Sequence, residues 1–307
     1  LPISRRATLR IVTFRRATDE RVGFLIDQSV YDIQACASFF GMDVLPSSLI
    51  EILSAGKTDL LADLFARIEE SRQGNAEPPL QCWAALEEVR LCAPVTPSKI
   101  ICLGRNYRDH AEEQGAKVPE APLLFAKAPS AVIGPDQPIV IPEGSTKVDF
   151  EGELALVIGR RTSRADGNQA GQAIFGYTCL NDVTEREAQF REKQWFRGKS
   201  MDTFAPMGPC ITTADEVGDP LDLALKTEVN GEVMQSGTTN DLIFAPADII
   251  MFASRNITLE PGDVISTGTP AGVGVFRDPQ VFLKAGDTVQ ITIDKIGTLS
   301  NPVVNET

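Results

Sequence analysis

Residues 8–35 alternate apolar and polar positions in three bursts, "LRIVTF", "RVGFLID" and "SVYDI", the period-2 pattern of half-buried strands. From 48 to 72, "SLIEILSAGKTDLLADLFARIEES" spaces its apolar residues at helical intervals, and Gly56 predicts a break between two helices. The polar, Gly/Pro-bearing "RQGNAEPP" then reads as a linker, so residues 1–95 are expected to form a small α+β N-terminal domain. Beyond "APVTPSKI" short strands alternate with Pro/Gly/Asp turns, as in "PDQPIVIPEG", "LEPGDVIST" and "LKAGDTVQITID". That texture predicts a β-rich domain over 96–307 with few helices, near 106–115, 183–194 and 246–254. The segments beginning at 259 and 283 share a Gly-Asp turn followed by a strand, and read as two similar pieces.

One apolar run carries charge. In "FEGELALVIG" (150–159), strand alternation puts Asp149, Glu151 and Glu153 on one face, continued by Ala155 and Val157, with Phe150, Leu154, Leu156 and Ile158 on the other. Like charges sharing a partly buried face repel and need a compensating cation. Two readings follow: a solvated strand end with nearby lysines, or a divalent metal site. Oxygen-only ligands suit a hard ion such as Mg or Mn rather than zinc.

Composition narrows the field. A chain of 307 residues with a hydrophobic fraction of 43% and mean hydropathy near zero is long and apolar enough for a substantial core. No apolar run approaches the roughly 20 residues of a membrane helix. The net charge of -13 argues against a nucleic-acid partner. Six cysteines (Cys36, Cys82, Cys92, Cys102, Cys179, Cys210) show no C-x-x-C pairing and read as buried free thiols of a reducing compartment. The start, "LPISRRATLRIVTFRR", is arginine-rich with no acid before Asp19, in the manner of a transit peptide, although "LRIVTF" already has strand character. Cytoplasm, or the mitochondrial matrix in a eukaryote, is therefore the expected compartment.

Several segments carry candidate chemistry. His110 in "GRNYRDHAEEQG" is the only histidine, and Glu113, three residues on, shares its helix face; a carboxylate there raises imidazole basicity and fixes its tautomer. The same pair also reads as an ordinary surface contact. In "LNDVTEREAQF", Asp182 and Glu185 have capping-box spacing, and Thr184 with Glu187 offers a second register; an N-cap and a metal ligand are compatible roles for Asp182. Lys199 in "QWFRGKSMDTFAPMGP", with Arg197 nearby, either neutralises a carboxylate cluster or sits in a surface loop. The small residues of "STGTPAGVG" (266–274) match no nucleotide motif, but their amides can line a pocket for a carboxylate substrate.

Together these segments, with "LLFAKAPSAVIGP", "GYTCLNDV" and "VNGEVMQSGTTNDLIF", resemble the fumarylacetoacetate hydrolase family in order from about Lys99 to Val304. The tail "GTPAGVGVFRDPQVFLKAGD" looks closest to the branch of FAH-domain-containing protein 2 and the acylpyruvate and diketo-sugar-acid hydrolases. The resemblance implies a mixed β-roll for the large domain, a homodimer, and Mg2+ or Mn2+ on Glu151, Glu153 and Asp182. It further implies His110, Glu113 and Lys199 as catalytic residues, and Arg105, Tyr107, Gln194, Thr269 and Pro270 around the substrate. The family pattern departs at "NDVTERE", where many members carry a Ser-Ala-Arg-Asp run, so that wall of the pocket is less defined. The implied activity is hydrolysis of a carbon–carbon bond in an acylpyruvate-like 2,4-dioxo acid through a metal-stabilised enolate. Its rivals are tautomerisation or decarboxylation of oxaloacetate, isomerisation of a dienoate, and a non-catalytic metal-binding scaffold.

Overall fold

A computed structural model describes residues 7–74 and 77–306. The first six residues of the arginine-rich start and Asn75–Ala76 of the linker lie outside the described residues. The three alternating bursts form strands Arg10–Arg16, Asp19–Ile26 and Ser29–Asp32, an antiparallel meander with Ile11 opposite Phe24 and Phe24 opposite Tyr31. The third burst stops earlier than its pattern suggests: Asp32 accepts hydrogen bonds from the amides of Gln34 and Ala35 and starts a helix, Ile33–Phe39. Helices Leu49–Ser54 and Thr58–Gln73 follow, parted at Gly56, the first opened by a capping box between Ser48 and Glu51.

The meander joins the rest of the chain through strand Ala205–Thr213, with Ile11 opposite Ile211, and so extends one twelve-stranded mixed sheet. At its centre Gly152–Ile158 lies between Ile174–Asn181 and Val264–Ser266, antiparallel to both. Sheet neighbours pair both edges of this strand, and a core on each side buries both of its faces. Ala155 and Val157 enter a core shared with Leu61, Leu64 and Phe65 of the N-terminal helices. Leu154, Leu156 and Ile158 enter a second core, with Ile249 and Ile250 of helix Pro246–Ser254 and Ile291 of a five-stranded sheet. The two Gly-Asp pieces adopt the same turn. The amide of Glu260 donates to Asp263 Oδ2 (2.6 Å) and that of Lys284 to Asp287 Oδ2 (2.9 Å), and strands Val264–Ser266 and Thr288–Ile293 follow.

Two expectations about the charged strand change. The alternation does not run through Phe150–Glu151: Val148–Asp149 pairs with Thr184–Glu185 in a separate ribbon, and Phe150 packs in a third core with Val183 and Phe204. The helix after Asn181 spans Arg186–Arg191, and its N-cap is Glu185, whose carboxylate accepts from the amides of Glu187 and Ala188. Asp182 does not cap a helix, because two lysines hold its carboxylate.

Candidate metal centre and active-site cleft

Backbone pairing creates the acidic cluster. Gly152 lies opposite Asn181 and Glu153 opposite Leu180, while the Asp182 amide donates to Glu151 O at 2.8 Å. The side-chain oxygen of Asn181 returns a bond from the Glu151 amide at 3.0 Å. Glu151, Glu153 and Asp182, all buried, thereby each bring a carboxylate oxygen within 4.8 Å of the others. A solvated strand end is excluded.

The cations come from three other elements. Lys199 ends the short helix Phe196–Lys199; its Nζ lies 2.6 Å from Glu151 Oε2 and 2.7 Å from Asp182 Oδ2. That helix reaches the site because Gly198 packs on helix Arg186–Arg191, where an added Cβ would lie 2.9 Å from the Gln189 nitrogen. Lys127, fully buried at the end of strand Leu123–Lys127, donates to Asp182 Oδ1 at 2.6 Å and to Val183 O at 3.1 Å. Arg186 bridges Glu151 Oε1 (2.8 Å) and Asp149 Oδ2 (2.8 Å from its Nε). Asp149 stays outside the triad, held by Arg186 and by the amides of Gly274 and Val275.

Four buried carboxylates (Asp149, Glu151, Glu153, Asp182) thus meet three buried cations (Lys127, Arg186, Lys199). Glu153 is the one left over: among the described residues no cation pairs with it, and it accepts only from Ser266 Oγ and from the Gly268 amide at 2.9 Å. Burial, then repulsion from Asp182 and Glu151, pushes its carboxyl well above the carboxylate range. Burial works the same way on Glu151, but Lys199, Arg186 and His110 outweigh it and hold that carboxyl at about 2. An all-oxygen cluster whose third member lacks a positive partner fits a hard divalent ion. Replacing Arg186 by methionine leaves Asp149 and Glu151 without this partner, and should cost about 3–5 kcal/mol of stability, read by urea unfolding.

The glycine-rich segment departs from expectation. Its amides serve the chain's own carboxylates: Gly268 binds Glu153, Ala271 binds Asp109 (3.1 Å), Gly272 binds Glu113 (2.9 Å), and Gly274 binds Asp149 (2.8 Å). Close approach needs glycine there, since a Cβ at Gly274 would lie 1.8 Å from Val281 O. The segment therefore ties the triad, the Arg186 bridge and the histidine helix into one unit.

His110 lies on helix Arg108–Glu113, buried, with Nδ1 2.9 Å from Glu113 Oε2 and Nε2 2.6 Å from Gln114 Nε2. It shares with Glu151, Glu153 and Lys199 a cleft of about 240 Å3, lined also by Arg105, Gln189, Lys193, Trp195, Thr269 and Phe276. Of the residues expected around the substrate, Arg105 and Thr269 line this cleft. Tyr107, Gln194 and Pro270 do not: Tyr107 and Pro270 are buried behind its lining, and Gln194 is exposed. Arg197 is also exposed and pairs with Glu192. Lys127 and Arg186 escaped the sequence reading. The signal for Lys127 was a lysine closing the apolar run "LLFA"; Arg186 was hidden in a segment read as a capped helix.

Fold and site together define a sheet-dominated α+β enzyme class with a buried acidic triad able to hold a divalent ion. Residues 99–304 match the family described as "Fumarylacetoacetate (FAA) hydrolase C-terminal", and the chain belongs to the fumarylacetoacetate hydrolase family. It is 48% identical over 246 residues to the mitochondrial oxaloacetate tautomerase fahd2 of Xenopus laevis (78% of this chain, 77% of the relative). It is 44% identical over 289 residues to the oxaloacetate tautomerase YisK of Bacillus subtilis (92% and 95%). Among solved structures, the fumarylacetoacetate hydrolase of Exiguobacterium antarcticum aligns over 97% of this chain and 100% of its own, with TM-score 0.80 and 36% identity. No helix among the described residues is long and apolar enough to cross a membrane. All six cysteines are free, five of them buried and Cys92 half-buried.

Proposed function

We propose that the chain interconverts the enol and keto forms of oxaloacetate at the Glu151–Glu153–Asp182 cluster. The observation that carries this reading is one nitrogen base, His110, sharing a cleft of about 240 Å3 with Glu151 and Glu153 of the acidic cluster. That volume lies below the usual range of ligand pockets, roughly 300–1,000 Å3, and suits an acid of few carbons. The names of the frog and Bacillus relatives support the same substrate.

A divalent ion, Mg2+ or Mn2+, held by Glu151, Glu153 and Asp182 would polarise the 2-oxo acid and favour its enolate. The chain's residues do the rest. Tautomerisation moves one proton between the C2 oxygen and C3, and His110 Nε2 is the group that takes it from one and returns it to the other. Glu113 accepts the Nδ1–H and steadies the positive charge that His110 gains. Lys199 spends two N–H groups on Glu151 and Asp182, which leaves the third for charge developing on the C2 oxygen. Arg105 and Lys193 on the cleft wall supply positive charge for the second carboxylate.

A second reading, hydrolysis of an acylpyruvate, draws on the same Glu113–His110 pair, because a carboxylate on Nδ1 makes Nε2 basic enough to activate water. Offering oxaloacetate and an acylpyruvate in parallel with Mg2+ separates the two. The expected result is rapid loss of the oxaloacetate enol absorbance without carbon dioxide, and slow or no acid release from the acylpyruvate. Efficient acylpyruvate cleavage, or carbon dioxide from oxaloacetate, would overturn the tautomerase reading in favour of the hydrolase or the decarboxylase.

A further inference from the structure

The histidine is not held by Glu113 alone. Arg105 Nε lies 2.9 Å from Gln114 Oε1, and Gln114 Nε2 lies 2.6 Å from His110 Nε2. On the other side His110 Nδ1 meets Glu113 Oε2, whose second oxygen accepts from the Gly272 amide. Donor chemistry fixes every proton in this row. A guanidinium only donates, so the Gln114 atom facing Arg105 is the carbonyl oxygen. The Gln114 amide nitrogen, which also only donates, then faces His110, and Nε2 must accept. The ring proton therefore sits on Nδ1, where Glu113 accepts it.

We propose that Arg105 and Gln114 act as a two-residue relay that sets the His110 tautomer and covers its basic nitrogen until Arg105 is drawn away. Gln114 is a positioning residue: it touches the imidazole, and its own orientation is dictated by Arg105. The backbone favours this arrangement. Gln114 caps the helix, its amide near His110 O, which puts its side chain one turn beyond His110 on the same face. Arg105 sits at φ +57°, the left-handed region that a non-glycine residue adopts rarely, and this bend turns it toward the cleft. While Gln114 donates to Nε2, no substrate or water can use that lone pair. An anion that engages Arg105 competes for the Nε–H holding Gln114 in place, so substrate entry and release of the base are linked. This rests on His110 serving the proposed reaction, but the tautomer can be read without turnover.

With a single histidine in the chain, the imidazole region of the ¹H–¹⁵N correlation spectrum of ¹⁵N-labelled, Mg2+-loaded protein reports His110 alone. Wild type should show a protonated Nδ1 and a bare Nε2. In Gln114→Leu the spectrum should shift toward the Nε2–H form, with Arg105→Met shifting it less in the same direction. Gln114→Glu keeps the length, the cap and an acceptor for Arg105 but cannot donate to Nε2, so it should add a proton at Nε2 beside the one Glu113 holds on Nδ1, even if the leucine variant folds poorly. For Gln114→Leu, kcat should fall on the order of tenfold with KM little changed, since Glu113 still favours the correct tautomer. A wild-type spectrum with the proton on Nε2, or a His110 spectrum unchanged in Gln114→Glu, overturns the relay. An unchanged spectrum in Arg105→Met overturns the part assigned to the arginine. Absence of oxaloacetate turnover beside the predicted spectra would instead count against the proposed reaction and leave the relay standing.

Discussion

Replacing Glu153 by glutamine should remove divalent-ion binding and turnover together, the latter by at least about 100-fold, since a ligand is lost outright where weakening its supporting shell alone costs 10–100-fold. The same change should have the opposite sign on the metal-free fold. Glu153 is the carboxylate without a cation, and burial with two like neighbours raises its pKa well above the unfolded value. The metal-free native state therefore binds more protons than the unfolded state above the ordinary glutamate range. Its stability is full below that range and falls as pH rises toward the raised folded value. Glutamine cannot ionise, keeps an acceptor for Ser266 and Gly268, and turns an amide donor toward Asp182 and Glu151. Urea unfolding of the chelated proteins from pH 4 to 8 should show wild type weakening relative to Glu153→Gln as pH rises. Calorimetric titration with Mg2+ should give heat for wild type alone. A variant that still binds Mg2+ at wild-type strength would remove Glu153 from the ligand set.

The second large effect belongs to His110. His110→Ala should cut turnover by about 10²- to 10⁴-fold, the usual contribution of a general base, while leaving Mg2+ binding near wild type. The separation follows from the geometry, because no triad carboxylate has His110 as a hydrogen-bond partner. Their hydrogen-bond and ion-pair partners are Lys127, Lys199, Arg186, Ser266 and Gly268, all of which the substitution leaves in place. If oxaloacetate tautomerisation persists in this variant and acylpyruvate hydrolysis is lost, His110 serves water activation, and proton transfer to C3 belongs to another group.

How legible this was in the sequence depended on range. Strands whose burial alternates, such as Arg10–Arg16 and Asp19–Ile26, announce themselves because each residue's environment repeats every second position. Helix Ile33–Phe39 did not, since "SVYDI" continues the strand pattern and only the Asp32 cap marks the change. The Asp182 region misled for a related reason: spacing alone offers Asp182 and Thr184 as caps, whereas the helix is capped by Glu185. The choice was made by Lys127 and Lys199, which lie 55 and 17 positions away along the chain and claim the Asp182 carboxylate. The need for a cation at Glu151 and Glu153 could be read from the shared strand face. Which cations answer it, and that Glu153 is left without one, depends on tertiary contacts. The glycine-rich segment could be recognised as a source of free amides, but not that Glu153, Asp109, Glu113 and Asp149 would occupy them.

The most direct test of the central claim follows the enol absorbance of oxaloacetate with protein stripped of metal by exhaustive chelation, before and after Mg2+ is restored. A metal-dependent tautomerase working at Glu151, Glu153 and Asp182 should fall to the uncatalysed rate when stripped and recover when Mg2+ returns. Turnover undiminished by chelation would contradict it.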